Sequence, residues 1–186
     1  MQPSALGEGL IFEDLLPLVF VPGPLAQNPE LAHLNAENHQ ILGAESSFDE
    51  VRVHEALKDE SPALVHELQR LEYKINILLR LTAELSMRHS ALPKSQSVRL
   101  TSHALQWLGE DAPAADATGL LQLYINPALP QALKIPAIAA SDAGQGASRV
   151  VLLRFIGLSE PVVELLEKLI FRRHRRLIAG TRLGAH

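Results

Sequence analysis

The sequence predicts an α+β protein: an N-terminal strand and helices, one long helix, then a small antiparallel barrel or sandwich followed by a final helix. Three observations predict it. Residues 61–90 carry a heptad repeat, the periodicity turns strand-like after Pro93, and an apolar stripe at helical spacing returns after Ser159. The expected segments are therefore 1–60 for the N-terminal strand and helices, 61–90 for the heptad helix, and 97–180 for the β domain with its C-terminal helix.

Gly9 to Val21 (GLIFEDLLPLVFV) mixes β-formers with Pro17, and reads as an irregular or edge strand because proline cannot donate to a ladder. Pro22-Gly23-Pro24 ends it. Asn28-Pro29-Glu30 makes a helix start, with Leu31, Leu34, Ile41 and Leu42 on one side and Gly43 as the expected stop. Ser47 and Glu50 form a capping box for a short second helix, with Phe48, Val51 and Leu57 as its apolar face.

The longest element follows. Leu64, Leu71, Leu78 and Leu85 occupy d positions, and Leu68, Ile75 and Thr82 occupy a positions. Ser61 supplies an N-cap and Pro62 fits the first helical position. Val65, Ile77, Leu79 and Leu81 widen the stripe beyond a two-strand seam, which favours more than two helices around one axis or a domain packed on the flank. A core helix of one domain is the plainer alternative. However, about 28 residues at ~1.5 Å each span about 40 Å, more than a small domain covers. Self-association into an oligomer larger than a dimer is the favoured reading.

After Pro93, Val98 to Trp107 alternates by two as a half-buried strand does. Gly109 to Thr118 is turn-rich and acidic. Leu120–Ile125 and Ala132–Ala140 are further strands, the second confined to an edge or bulge by Pro136. Ser141–Gly146 reads as a turn and Ser148–Ile156 as the last strand. Ser159 and Pro161 start the final helix, whose Val162, Leu165, Leu166, Leu169, Ile170 and Leu177 share a face.

Composition narrows the function. With no cysteine among 186 residues, disulfides and thiolate metal sites are excluded. The eight histidines form no HExxH or close i, i+4 pair, so no metal site is expected. No apolar run approaches ~18 residues and the N-terminal stretch lacks a basic region and cleavage site, so neither membrane insertion nor a signal peptide is expected, and the protein is read as cytoplasmic. Charge is uneven: residues 1–146 carry 9 basic and 18 acidic groups, residues 147–186 carry 8 basic and 3 acidic. Gly144-Gln-Gly146 begins a GxGxxG but meets Arg149 and sits between strands, so no phosphate loop is assigned. Glu13-Asp14 and Asp59-Glu60 read as solvated edge and helix terminus rather than acid–base pairs, and nothing legible supports catalysis or a cofactor.

Residues Val98 to Gly180 carry a resemblance. Leu100-Thr-Ser-His-Ala-Leu-Gln-Trp107, a loop-separated strand pair, Val150-Val-Leu-Leu-Arg-Phe-Ile-Gly-Leu-Ser159 and an amphipathic helix ending Leu169-Ile-Phe-Arg-Arg-His-Arg-Arg176 resemble the PilZ domain family. Joined to the heptad helix and FEDLLPL, the chain is most similar to the tetrameric, non-typical PilZ proteins of xanthomonads. The resemblance implies a small antiparallel β-barrel with a closing C-terminal helix, and a non-enzymatic role in cyclic di-GMP signalling or type IV pilus control.

In that family, ligand binding uses RxxxR ahead of the barrel and [DN]xSxxG on the first strand. Here the second pattern falls on Arg99, Thr101 and Ala104, and no RxxxR precedes it; Arg88, Lys94 and Arg99 are the cations present. Weak or absent cyclic di-GMP binding is therefore expected, with action mainly through a protein partner that the sequence does not name. The alternatives are a genuine receptor with a site displaced onto Arg88, Lys94 and Arg99, and a purely structural oligomerisation scaffold. Arg172, Arg173, Arg175 and Arg176 end the last helix, where cations oppose the negative dipole end. Arg172, Arg175 and Arg176 are also neighbours on one face and make a candidate docking patch for an acidic partner, whereas Arg173 is expected to tuck along the barrel. Nucleic acid is not expected, because the whole chain is acidic and no aromatic–basic interleaving accompanies the cluster.

Overall fold

Two prolines set where the barrel strands change partners. A computed structural model of the chain describes residues 10–49, 92–126, 131–143 and 149–183, together with 66–68, 70, 71, 73–75, 77, 78 and 81; only the backbone is described at 46–49, 141–143 and 176–183. The strands are β1 (Phe12–Pro22), β2 (Ser95–Leu100), β3 (Ala104–Leu108), β4 (Thr118–Leu123), β5 (Leu133–Ala143) and β6 (Val150–Phe155). They close into an antiparallel barrel in the order β1-β2-β3-β6-β5-β4.

β1 closes it by serving two neighbours in turn. Phe12 to Pro17 pair with Leu100 to Ser95 of β2, and Leu18 to Pro22 pair with Leu123 to Gly119 of β4. Pro17 stands at the changeover, where its carbonyl accepts from Tyr124 N at 3.0 Å. The expected irregular or edge strand is thus a shared strand inside a closed sheet, because the missing N–H falls where one ladder gives way to the next. Pro136 behaves similarly. It pairs with Leu120 of β4 and accepts from Ile156 N at 2.8 Å just beyond the last β5–β6 pair, Ala137 with Phe155. It lies at neither an edge nor the bulge, which falls between Ala139 and Ser141.

Two other boundaries move. The run from Val98 to Trp107 is a hairpin and not one strand. Thr101 Oγ1 exchanges hydrogen bonds of 3.1 Å with the Ala104 carbonyl and N–H, and Thr101 N donates to the same carbonyl at 2.9 Å. These bonds turn the chain. Beyond Ala140, β5 continues to Ala143 against Val150 to Leu152, so the predicted turn at Ser141–Gly146 begins later than expected.

Helix α1 (Glu30–Asp49) packs outside the barrel, and helix α2 (Glu160–Leu183) follows β6. The expected stop at Gly43 does not occur, and Ser47 lies inside α1 rather than heading a new helix. Contacts made beyond Gly43 account for this: Glu45 binds Arg173 of α2 at 3.0 Å and Asn126 at 2.7 Å. Asn38, buried on the same face as Leu34 and Leu42, donates to the Lys134 carbonyl and accepts from Lys134 N, both at 2.9 Å. Asn35 does the same for the loop before α2, donating to Gly157 O and accepting from Ser159 N. Gly157 is required there, since its φ is +70° and a Cβ would meet Leu31 Cδ2 at 2.6 Å. Val162, Leu166, Leu169 and Ile170 of α2 enter the same core as the barrel interior, as their spacing predicts. Leu177 and the expected helix over 50–58 lie outside the described residues or side chains.

Between 66 and 81 the described residues are helical. Leu68, Leu71, Ile75, Leu78 and Leu81 are all exposed, from 41% at Leu68 to 63% at Leu78. The plainer reading of this segment as a core helix is therefore not what the single chain adopts. Among the described residues no helix is long and apolar enough to cross a membrane.

Barrel closure can be tested at one glycine. Gly119 faces the interior opposite Pro22, and a Cβ there would collide with the Val21 carbonyl and approach the Phe20 ring at 2.9 Å. Gly119→Ala should destabilise the fold by about 1–3 kcal/mol through overpacking against backbone. Urea denaturation measures the loss; unchanged stability would mean that β1 and β4 are less closely apposed than this.

Candidate functional site

The sequence directs attention to three surfaces: the cations near β2, the arginine-rich end of α2, and the heptad seam.

The cations near β2 are not brought together. Lys94 precedes β2 and Arg99 lies near its other end, roughly 16 Å away at ~3.3 Å per residue. Arg99 Nε binds Glu13 Oε1 at 2.7 Å, across the β1–β2 ladder where the two residues are register partners. Lys94 Nζ lies 3.3 Å from Asp111 Oδ2, which also accepts from Gln96 Nε2 at 3.1 Å. The hydrogen bond from Gln96, then that from Lys94, holds the Asp111 carboxyl below the usual carboxylate range. Arg88 lies outside the described residues. Lys94 and Arg99 thus each already have a carboxylate, and they stand too far apart to grip one small group together.

The positions matching the family's second pattern are consumed by the fold. Thr101 is buried with its hydroxyl held within the hairpin, and Ala104 is buried against Leu152 with Ile11 beside them. Ser102 Oγ donates to Glu167 Oε1 of α2 at 3.0 Å, so the hairpin tip is fastened to the helix. A ligand approaching this surface would meet an alanine methyl where the pattern has glycine.

At the end of α2 the four arginines divide. Arg173 turns inward, as expected. Its Nη2 donates to Glu45 Oε1 at 3.0 Å and to the Ile125 carbonyl at 2.8 Å, and its Cζ lies 5.4 Å from the centre of the Phe12 ring. The side chain is 17% exposed and that of Glu45 12%. Arg175 is exposed and lies over Phe171, Cζ to ring centre 5.7 Å, and Phe171 is itself 48% exposed. Arg172 is half-buried, so it is less open than its sequence position predicts. The side chain of Arg176 lies outside the described residues. What stands out at this end is an aromatic ring with a guanidinium stacked on it, a role for Phe171 that the run of arginines does not announce.

The expected seam residues that the structure describes, Leu68, Leu71, Ile75 and Leu78, are exposed, as are the other described residues between 66 and 81 except the half-buried Ile77, and the Glu67–Arg70 ion pair of 3.1 Å lies among them. Leu64, Thr82 and Leu85 lie outside the described residues. The asparagines of α1 and Glu45 are further residues that the sequence motifs do not single out. The available signal is polar residues at 35, 38 and 45 within the helical stripe of Leu31, Leu34, Ile41 and Leu42.

A family model described as an atypical PilZ domain, a cyclic di-GMP receptor, matches residues 42–183. No curated protein matches the chain. Among solved structures, it is similar to a pathogenic protein from Xanthomonas campestris, described as a new tetrameric PilZ domain self-assembled through an unusual helical bundle. The two are 26% identical with a TM-score of 0.73, over 92% of this chain and 91% of that one. Since the family model spans most of the sequence and the barrel with its C-terminal helix matches the fold, the chain belongs to the atypical PilZ family, a family of cyclic di-GMP receptors.

Proposed function

We propose that the protein is a non-enzymatic, cytoplasmic regulatory module of cyclic di-GMP signalling or type IV pilus control, acting as a homo-oligomer through protein contacts. The observation that carries this reading is the exposed apolar row of the central helix, at Leu68, Leu71, Ile75 and Leu78. Fully burying one such side chain stabilises by about 1.5–3 kcal/mol, and a second copy of the same helix supplies the matching apolar row. The tetrameric relative from Xanthomonas campestris favours four copies. Leu64, Thr82 and Leu85 extend the proposed seam. Leu71→Asp with Leu78→Asp should dissociate the assembly, because unpaired carboxylates would be buried in it. Light scattering reads the outcome, and a wild-type monomer would end the proposal.

The ligand role is attenuated in this reading. Arg99 and Lys94 are spent on Glu13 and Asp111, and the hairpin at Thr101 and Ala104 is filled. Calorimetry with cyclic di-GMP should give weak binding or none. Affinity in the low micromolar range or tighter would favour a displaced receptor site instead, and Arg88→Ala, Lys94→Ala and Arg99→Ala should then each weaken it.

Output passes, in this reading, through the end of α2. Arg172, Arg175 and Arg176 supply the charge and Phe171 an apolar anchor for an acidic partner segment. Replacing the three arginines by Glu should abolish partner capture in low-salt pull-downs while the oligomer persists. Because Arg172 is half-buried, the exposed pair Phe171→Ala with Arg175→Glu is the cleaner test. Unchanged partners in both variants would make the patch purely structural.

A further inference from the structure

A cleft of about 390 Å³ opens between α1 and the ends of β4 and β5, lined among others by Glu37, Gln40, Gln122, Tyr124, Gln131 and Lys134. That volume lies at the small end of the ~300–1,000 Å³ typical of small-molecule sites. In the strand order, β4 and β5 are separated from the β2–β3 hairpin by β1 on one side and β6 on the other. The cleft is therefore distinct from the surface on which the family's ligand patterns fall.

Its chemistry is specific. Lys134 Nζ binds Glu37 Oε2 at 3.0 Å and His33 lies 3.3 Å from the other oxygen, so the charges at the rim cancel and nothing favours an anion. Lys134, followed by His33, holds the Glu37 carboxyl below the usual range, which keeps this pair ionised. The remaining polar groups are neutral. Among the described residues, the amides of Gln40, Gln122 and Gln131 and the hydroxyl of Tyr124 have no hydrogen-bond partner. Each amide offers two donors and an acceptor. Beside them, Tyr124 presents a half-buried ring, and Val19, the ladder partner of Gln122, is 37% exposed. Neutral amides around an aromatic ring suit a planar ligand whose edge carries both donors and acceptors, as glutamine suits the edge of adenine and tyrosine the face of any base.

We propose that this cleft binds a purine nucleoside through its base, with the glutamines on the base edge and Tyr124 against its face. The assignment stands independently of the oligomer, of the docking helix and of cyclic di-GMP binding at the hairpin. The test is a titration of ¹⁵N-labelled protein with adenosine and with guanosine, following the glutamine side-chain amides. Saturable shifts at Gln40, Gln122 and Gln131 with at least one nucleoside are expected. Gln40→Ala with Gln131→Ala changes two exposed side chains without touching the core, and should weaken binding roughly tenfold, the loss of one or two amide contacts. The proposal is overturned by no saturable shift with either nucleoside at millimolar concentration, by the same shifts with ribose alone, or by unchanged affinity in the double variant.

Discussion

A single guanidinium ties both helices and the barrel together at one point. Arg173 meets the carboxylate of Glu45, the carbonyl of Ile125 and the ring of Phe12, so one side chain joins α2, α1, the end of β4 and the start of β1. Glu45 in turn fixes Asn126 with its second oxygen. Both charges are largely withdrawn from water, and such a pair contributes little net stability because desolvation offsets the attraction. What it contributes is placement. Any packing that separates the two helices leaves a buried ion without its counter-ion, which costs about 3–5 kcal/mol in a fully buried setting. The extension of α1 past Gly43, the seating of Asn38 on Lys134 and that of Asn35 before α2 all agree with this one arrangement.

The parts of the fold legible in the sequence are those in which one period holds without interruption. The final helix is readable because Val162, Leu166, Leu169 and Ile170 keep helical spacing and all enter the core. The hairpin is harder to read, although its signal is present. Val98 and Leu100 point inward at even numbers, Leu105 and Trp107 at odd ones, and a single strand cannot change parity without a turn or bulge. Gly43 misleads because local preference takes no account of the tertiary contacts of Glu45. Pro17 and Pro136 read correctly as non-donors, but a closed barrel has places for non-donors that an open sheet reserves for its edges.

The candidate surfaces divide along similar lines. Exposure of Leu68, Leu71, Ile75 and Leu78 follows from a heptad on a helix that the barrel does not cover, so that apolar row is legible in the repeat alone. The inward turn of Arg173 is equally legible, from its continuity with the apolar face. The cleft is not. Gln122 and Gln131 are neighbours through the β4–β5 ladder, and only the docking of α1 on β5 brings Gln40 to them. Functional surfaces assembled from one helix leave a pattern in sequence, whereas those assembled from several elements do not.

Closure of the barrel has a further consequence for how such a module recruits others. A sheet with a free edge can accept an extended segment from another chain as an extra strand, and that same edge exposes it to runaway pairing between copies. Here β1 is shared between β2 and β4, its residues 12–17 pairing only with β2 and 18–22 only with β4, so unpaired backbone is cut to two short halves of one strand. Such short stretches offer an extended segment little to pair with, which favours contacts made through side chains. In the proposed oligomer, neighbouring barrels can therefore crowd one another with little free edge to template aggregation.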